Sequence, residues 1–394
     1  TIYRVFIVKS IFSKMDIWLL ILMIIYSIVG LIMIFSSSSV STVLRYNVPQ
    51  YHFFIRQAIF LLGAFIIGFL IVIRFPTSKY KYLTPIAIVV IIVALGGLLL
   101  YGQLTNNARS WYSIGPLALQ PSEFAKSIII VFLAVAYSKL EKSKTATIYT
   151  FLIPVAICLG IAVLIAMQPD FGTALIICGI VFFVFISIPY VKKNIIKVLK
   201  IGAVCVVVAV LALLYSDAEI LNSRQLQRFE FRNPCERYQE DTGYQVCNGF
   251  IAIHNGGLFG VGLGNSSQKY LYLPESHTDF IFPIIVEELG LIVGVLLIVG
   301  YMIMLWRILL IARQAENLRL SILAYGVFLY LLFHILINLL GILALIPLTG
   351  VPLPLLSYGG SFTINVVIML FVVQRVNIEN KTIKTKREMA SITN

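Results

Sequence analysis

Long uncharged apolar runs, separated by short polar breaks, fill nearly the whole chain. Each run is about twenty residues, the length a helix needs to cross a hydrocarbon core of ~30 Å. Strand-like alternation of apolar and polar side chains is not evident. The pattern therefore predicts a helical bundle rather than a barrel, the two architectures that satisfy the backbone in lipid. Ten spans are expected, at 17 to 36, 53 to 73, 82 to 101, 123 to 138, 148 to 167, 171 to 189, 195 to 215, 279 to 306, 320 to 346 and 359 to 376. The first follows Arg4, Lys9 and Lys14, as a signal peptide would, but nine more come after it and it reads as a retained helix.

Composition agrees with this reading. The chain is 60% hydrophobic and only 12% charged, where soluble domains carry about a quarter charged residues. Its cations are sided: 21 Lys and Arg fall in the segments on the N-terminal side, 8 fall on the other, and Lys126 lies within a span. The excess on one side predicts that both termini are cytoplasmic. The net charge of +13 is then mostly sidedness, and no nucleic-acid partner is called for. The expected architecture is an all-α integral membrane protein, with a single ten-helix domain over 1–376. It has a large extracellular loop, 216–278, between helices seven and eight, and a disordered cytoplasmic tail over 377–394.

Among the polar residues of the loop, Cys235 and Cys247 lie twelve apart in NPCERYQEDTGYQVCNG, on the oxidising side. A disulfide there would order a polar segment. Arg224, Arg228 and Arg232 repeat every four residues, a stripe that suits either lipid phosphates or a pyrophosphate. His52, His254, His277 and His334 are dispersed, so no zinc site emerges. His277 reads as a support that makes a structural hydrogen bond.

Ionisable residues in apolar spans are functional candidates because their insertion costs ~2.5 to 3.5 kcal/mol each. Glu123 and Lys126 share a helix face, either as a neutralised pair or with Lys126 holding an anionic substrate. Asp170 follows Pro169 at a helix start, where capping alone suffices to explain it. Glu123, Asp170, Glu275 and Asp279 are all expected near one depth, and Arg109 approaches that layer from the preceding loop. Glu287 and Glu288 are expected ~12 to 14 Å deeper than Asp279 and off its face, as packing or partner contacts.

Read in order, QPSEFAK, QPDFGTAL, GYQVCNGFIAIHNGGLFGVGLGNSSQKYLYLPESHTDFIF, EELGLI and LTGVPLPLLSYGGS resemble the SEDS family of membrane glycosyltransferases. That family includes FtsW, RodA and SpoVE, and the loop is closer to the FtsW and SpoVE branch than to RodA. The resemblance covers nearly the whole chain. It implies a peptidoglycan polymerase that joins the acceptor GlcNAc 4-hydroxyl of lipid II to the donor MurNAc C1 and releases undecaprenyl pyrophosphate. The family's essential aspartate falls on Asp279, the candidate base, and other carry-overs fall on Glu123, Lys126 and Asp170 as residues that shape the cavity or hold substrate.

Arg109 and the Arg224 to Arg232 stripe are further candidates for the pyrophosphate, and Glu275 for metal or substrate. A divalent cation, Mg2+ or Mn2+, is expected to assist, with Asp279 and Glu275 as candidate ligands but no dedicated site readable. The resemblance also implies a class B penicillin-binding protein as partner, its single helix packing on spans eight and nine, within the division or elongation machinery. A lipid II flippase is the competing reading, kept open by Glu287 and Glu288.

Overall fold

The structure is a computed structural model that describes residues 12–101, 103–105, 108–114, 117–198, 200 and 231–393. It is mostly helical. Among the described residues, seven helices are long and apolar enough to cross a membrane, and Phe171–Ser187 is a shorter apolar helix. The chain is a multi-pass membrane protein. The expected seventh span, Cys205, Arg224 and Arg228 lie wholly or largely outside the described residues.

Helix α1, Ile17–Leu44, is capped by Asp16, whose carboxylate accepts from Leu19 N at 2.9 Å. It outlasts the expected span because its serine run satisfies itself. Ser38 Oγ donates to Ile34 O at 2.6 Å and Thr42 Oγ1 to Ser38 O at 2.9 Å, so these hydroxyls stay buried within the helix. Helix α2, His52–Ile67, continues into a π-helical turn at Gly68–Val72, and α3 is Tyr80–Tyr101.

The next segment corrects the expectation that strands are absent. Gln103–Thr105, Ala108–Ile114 and Leu117–Leu119 form a three-stranded antiparallel sheet, β1 to β3, with Tyr112 opposite Leu119. Two of these strands are three residues long. That is too short to print an alternating pattern on the sequence.

Helices α4 (Pro121–Glu141), α5 (Ile148–Ala166), α6 (Phe171–Ser187) and the short α7 (Pro189–Lys193) follow. The expected long loop contains a helix, α8, over Asp241–Gly256, and a disulfide joins Cys235, ahead of it, to Cys247 within it.

The expected eighth span is not one helix but two, α9 (Ile281–Leu289) and α10 (Leu291–Arg313). The break is at Gly290, whose φ of +88° L-residues rarely adopt, and a Cβ there would collide with Leu258 O. The loop fills the break: Leu291 N donates to Gly257 O at 2.9 Å and Gly262 N to Glu288 O at 3.0 Å.

Helix α11, Leu318–Ile342, is the centre of the bundle, packing on α4, α6, α10 and the last helix, α12, Gly360–Thr393. The helix runs through residues expected to be a disordered tail. Extending a formed helix avoids the cost of nucleation, and Lys14 to Thr382 and Arg387 to Glu316 contacts hold its lower part.

Asp16, Arg307 and Gln374 meet at one end of the bundle, with Arg307 Nε 3.1 Å from Asp16 Oδ2 and Gln374 Nε2 2.9 Å from Asp16 O. The sheet, the loop and the starts of α4, α6, α9 and α12 lie towards the other.

Glu287 and Glu288 are buried, as expected of packing residues, and their partners are in the loop apart from Ser36 of α1. Glu287 accepts from Ser267 N at 3.3 Å, Ser267 Oγ at 2.9 Å and Asn255 Nδ2 at 3.2 Å, and also from Ser266 Oγ. Glu288 pairs with Lys269 at 3.0 Å and accepts from Ser36 Oγ at 2.7 Å. Glu287→Ala is expected to lower stability by about 1–3 kcal/mol, because it strands the buried Ser266 hydroxyl while the exposed Ser267 and Asn255 can turn to water. Thermal unfolding of the detergent-purified protein checks this, and an unchanged midpoint would count against the anchoring role.

Candidate active site

Four helices, α4, α6, α9 and α12, begin beside one cavity of about 460 Å³. Its walls include Trp111 from β2, Gln120 and Glu123 from α4, Asp170 and Thr173 from α6, and Glu275, Thr278 and Asp279 before α9. His334 of α11, the 349–352 turn, Tyr358 and Phe362 complete it. A helix N-terminus is the positive end of a dipole, so these four starts offset part of the negative charge of the carboxylates around the cavity.

Glu123, Asp170, Glu275 and Asp279 therefore line one cavity. Asp170 caps α6 by accepting from Thr173 N at 3.1 Å. Its other oxygen takes Ser122 Oγ at 3.1 Å and Gln120 Nε2 at 3.3 Å, which locks the starts of α4 and α6 together.

Lys126 stands behind the wall rather than in it. It is fully buried, its ammonium donating to Glu123 Oε1 at 2.8 Å and lying 2.9 Å from His334 Nε2. His334 Nδ1 is 3.2 Å from Pro352 O, which can only accept, so Nδ1 carries the proton and Nε2 accepts from Lys126. The imidazole also stacks on Phe362 at 4.7 Å. Direct contact between Lys126 and a substrate, the sharper of its two readings, is not what this geometry provides. Lys126 instead holds Glu123 in place, with Oε2 left without a hydrogen-bond partner.

Glu275 sits in the left-handed region, φ +55°, and its carboxylate accepts from Thr278 Oγ1 at 3.0 Å. Its carbonyl accepts from Thr278 N and Phe280 N, closing a tight turn that delivers Asp279 to the cavity.

His277, expected to make a structural hydrogen bond, makes one through its main chain, its carbonyl accepting from Tyr358 N at 2.9 Å, while its side chain packs. Its ring stacks on Phe53 at 4.6 Å, and Nδ1 is buried without a hydrogen-bond partner. Burial lowers its pKa from 6.5 to about 4, with Glu275 opposing and Arg45 assisting. A depressed histidine pKa favours the neutral form in the folded state. The stability it contributes is complete above 6.5 and is lost as pH falls towards about 4. His277→Phe should therefore flatten the fall in unfolding temperature between those pH values, and an unaltered slope would contradict the assignment.

Arg109 lies in β2, beside cavity residues Ser110 and Trp111. Arg232, the one described member of the arginine stripe, is exposed and does not line the cavity. His334 reads in the sequence as one of several scattered histidines, yet it lines the cavity. The available signal was its pairing with Asn338 one helical turn on, two polar residues in the apolar run LLFHILINLLG.

A family model for FtsW, RodA and SpoVE, described as cell cycle protein, matches residues 16–382. The chain belongs to this family. Among relatives in the FtsW/RodA/SpoVE family is the probable peptidoglycan glycosyltransferase FtsW of Bacillus subtilis (strain 168), 38% identical over 84% of this chain and 83% of the relative. Stage V sporulation protein E of the same organism is 32% identical over 88% of this chain and 92% of its own.

The rod shape determining protein RodA of Thermus thermophilus shares the fold with a TM-score of 0.63 at 25% identity, covering 93% of this chain and 97% of the other. A chain from a peptidoglycan synthase complex described as coordinating polymerization and crosslinking is similar in fold, with a TM-score of 0.71 at 24% identity, over 93% and 98% of the two chains.

Proposed function

We propose that this member of the FtsW/RodA/SpoVE family is a peptidoglycan glycosyltransferase that extends glycan strands from lipid II. The observation that carries the reading is the cavity itself, where Asp279 and three further acidic residues face the starts of four helices. Polymerisation needs a base at the acceptor hydroxyl and positive potential at the leaving group. In this reading the Asp279 carboxylate takes the proton from the GlcNAc 4-hydroxyl. The freed oxygen pair attacks the donor MurNAc C1, and the bond from C1 to the pyrophosphate breaks, its electron pair leaving with undecaprenyl pyrophosphate. Helix N-termini and Arg109 supply the positive potential; Arg224 and Arg228 are further candidates from outside the described residues.

A divalent cation, Mg2+ or Mn2+, belongs to the proposal as an aid to the leaving pyrophosphate. Among the described residues no three His, Cys, Asp or Glu side chains converge on one point. Asp279 and Glu275, which line the same cavity, are the proposed ligands of an ion that would keep several waters.

The membrane arrangement proposed is ten spans with both termini cytoplasmic and the cavity on the extracytoplasmic side, where a lipid-linked sugar would meet it. The FtsW relatives favour a role in division over elongation. A class B penicillin-binding protein is the proposed partner, its helix seated along α10 and α11. The similarity to a synthase-complex chain supports this.

The transport reading rested on Glu287 and Glu288, and their engagement by loop residues removes that motive. Purified protein in vesicles loaded with lipid II separates the two. Glycan polymer supports the enzyme, while lipid II translocation without polymer would overturn it.

A further inference from the structure

Two polar side chains, one turn apart on α11, grip the turn that follows that helix. His334 holds Pro352 O, and Asn338 Nδ2 donates to Val351 O at 2.7 Å. The same nitrogen donates to the main-chain carbonyl of Asp279 at 2.8 Å. One amide thus ties the backbone of the candidate base to the backbone of the 349–352 turn.

Gly350 lies inside this clamp with φ +71°, and a Cβ built on it would stand 3.1 Å from Asp279 Oδ2. The carboxylate therefore has the glycine on one flank while its own main chain is pinned by Asn338. The Asn338 side chain is almost wholly buried, yet its Oδ1 has no hydrogen-bond partner. Flipping the amide would not mend this, because Oδ1 would then face two carbonyl acceptors. Both donor bonds of Asn338 are spent on the backbone of Asp279 and on the turn beside its carboxylate, which is the arrangement a positioning side chain requires.

We infer that Asn338 is a positioning residue for the glycosyl transfer, setting the carboxylate of Asp279 against the cavity through its backbone. The inference rests on Asp279 acting as base. Displacing a reacting group by even ~1 Å can lower turnover by ~10²-fold without altering how substrate binds. A buried amide that is only structural would affect the amount of folded protein instead.

The test measures kcat and KM for lipid II on the detergent-purified full chain, normalised to folded protein by thermal unfolding. Asn338→Leu removes both bonds at similar volume, and Gly350→Ala crowds the carboxylate from the opposite flank. Both variants are expected to lower kcat by ~10- to 100-fold with KM within threefold of wild type. They should also move the acid limb of the pH profile of kcat/KM.

Turnover per folded molecule within twofold of wild type, or a loss confined to KM, would overturn the inference. If Asn338→Leu does not fold, Gly350→Ala decides on the same readouts. Failure of the base assignment is distinguishable, since it would appear as an active Asp279→Asn protein, whereas an inactive Asp279→Asn beside a normal Asn338→Leu refutes the positioning role alone.

Discussion

Asp279→Asn is expected to reduce glycan polymerisation by about 10²- to 10⁴-fold, the contribution of a positioned general base. The substitution is close to isosteric. It leaves the main-chain carbonyl that accepts from Asn338 at 2.8 Å and fits the space beside Gly350, so what it removes is basicity. Thermal unfolding should stay near wild type while the rate of lipid II consumption collapses. Retention of activity to within tenfold would mean that another group takes the proton.

Lys126→Met should have the largest effect on stability. Lys126 is fully buried between Glu123 and His334, and removing its charge leaves the Glu123 carboxylate buried without a counterion. Breaking one side of such a pair costs about 3–5 kcal/mol, while replacing both sides by uncharged groups costs far less. The double variant Glu123→Gln with Lys126→Met is therefore expected to be more stable than Lys126→Met alone. Unfolding midpoints of the three proteins check this order. A loss below about 1 kcal/mol for the single variant would contradict a buried, uncompensated charge.

The helical membrane fold was legible because lipid imposes long apolar runs, and the starts of α5, α6 and α12 fall within a residue of the expected spans. The acidic residues of the site were legible for the same reason: a carboxylate in an apolar chain stands out. The division into α9 and α10 was not, because one glycine inside an apolar run reads as a tolerated helical residue. What makes Gly290 a break is the Leu258 and Phe259 backbone packed on it from a distant loop. Glu287 and Glu288 were read as deeper than Asp279 by counting helical rise, but the loop follows α9 and supplies Ser267 and Lys269.

His334 was missed because its value comes from Lys126, which is 208 residues away. Lys126 itself was visible, but whether it faced a ligand or a neighbour was not, since that depends on α11. His277, close to Asp279 in sequence, turned out to pack on Phe53.

As proposed, this chain makes glycan strands and Asp279 carries the chemistry. The purified protein, its transpeptidase partner, labelled lipid II and Mg2+ put that to a direct measurement of polymer, with wild type and Asp279→Ala compared at equal folded amount. Long glycan strands from wild type and none from Asp279→Ala are the predicted result. Equal strands from both would contradict it.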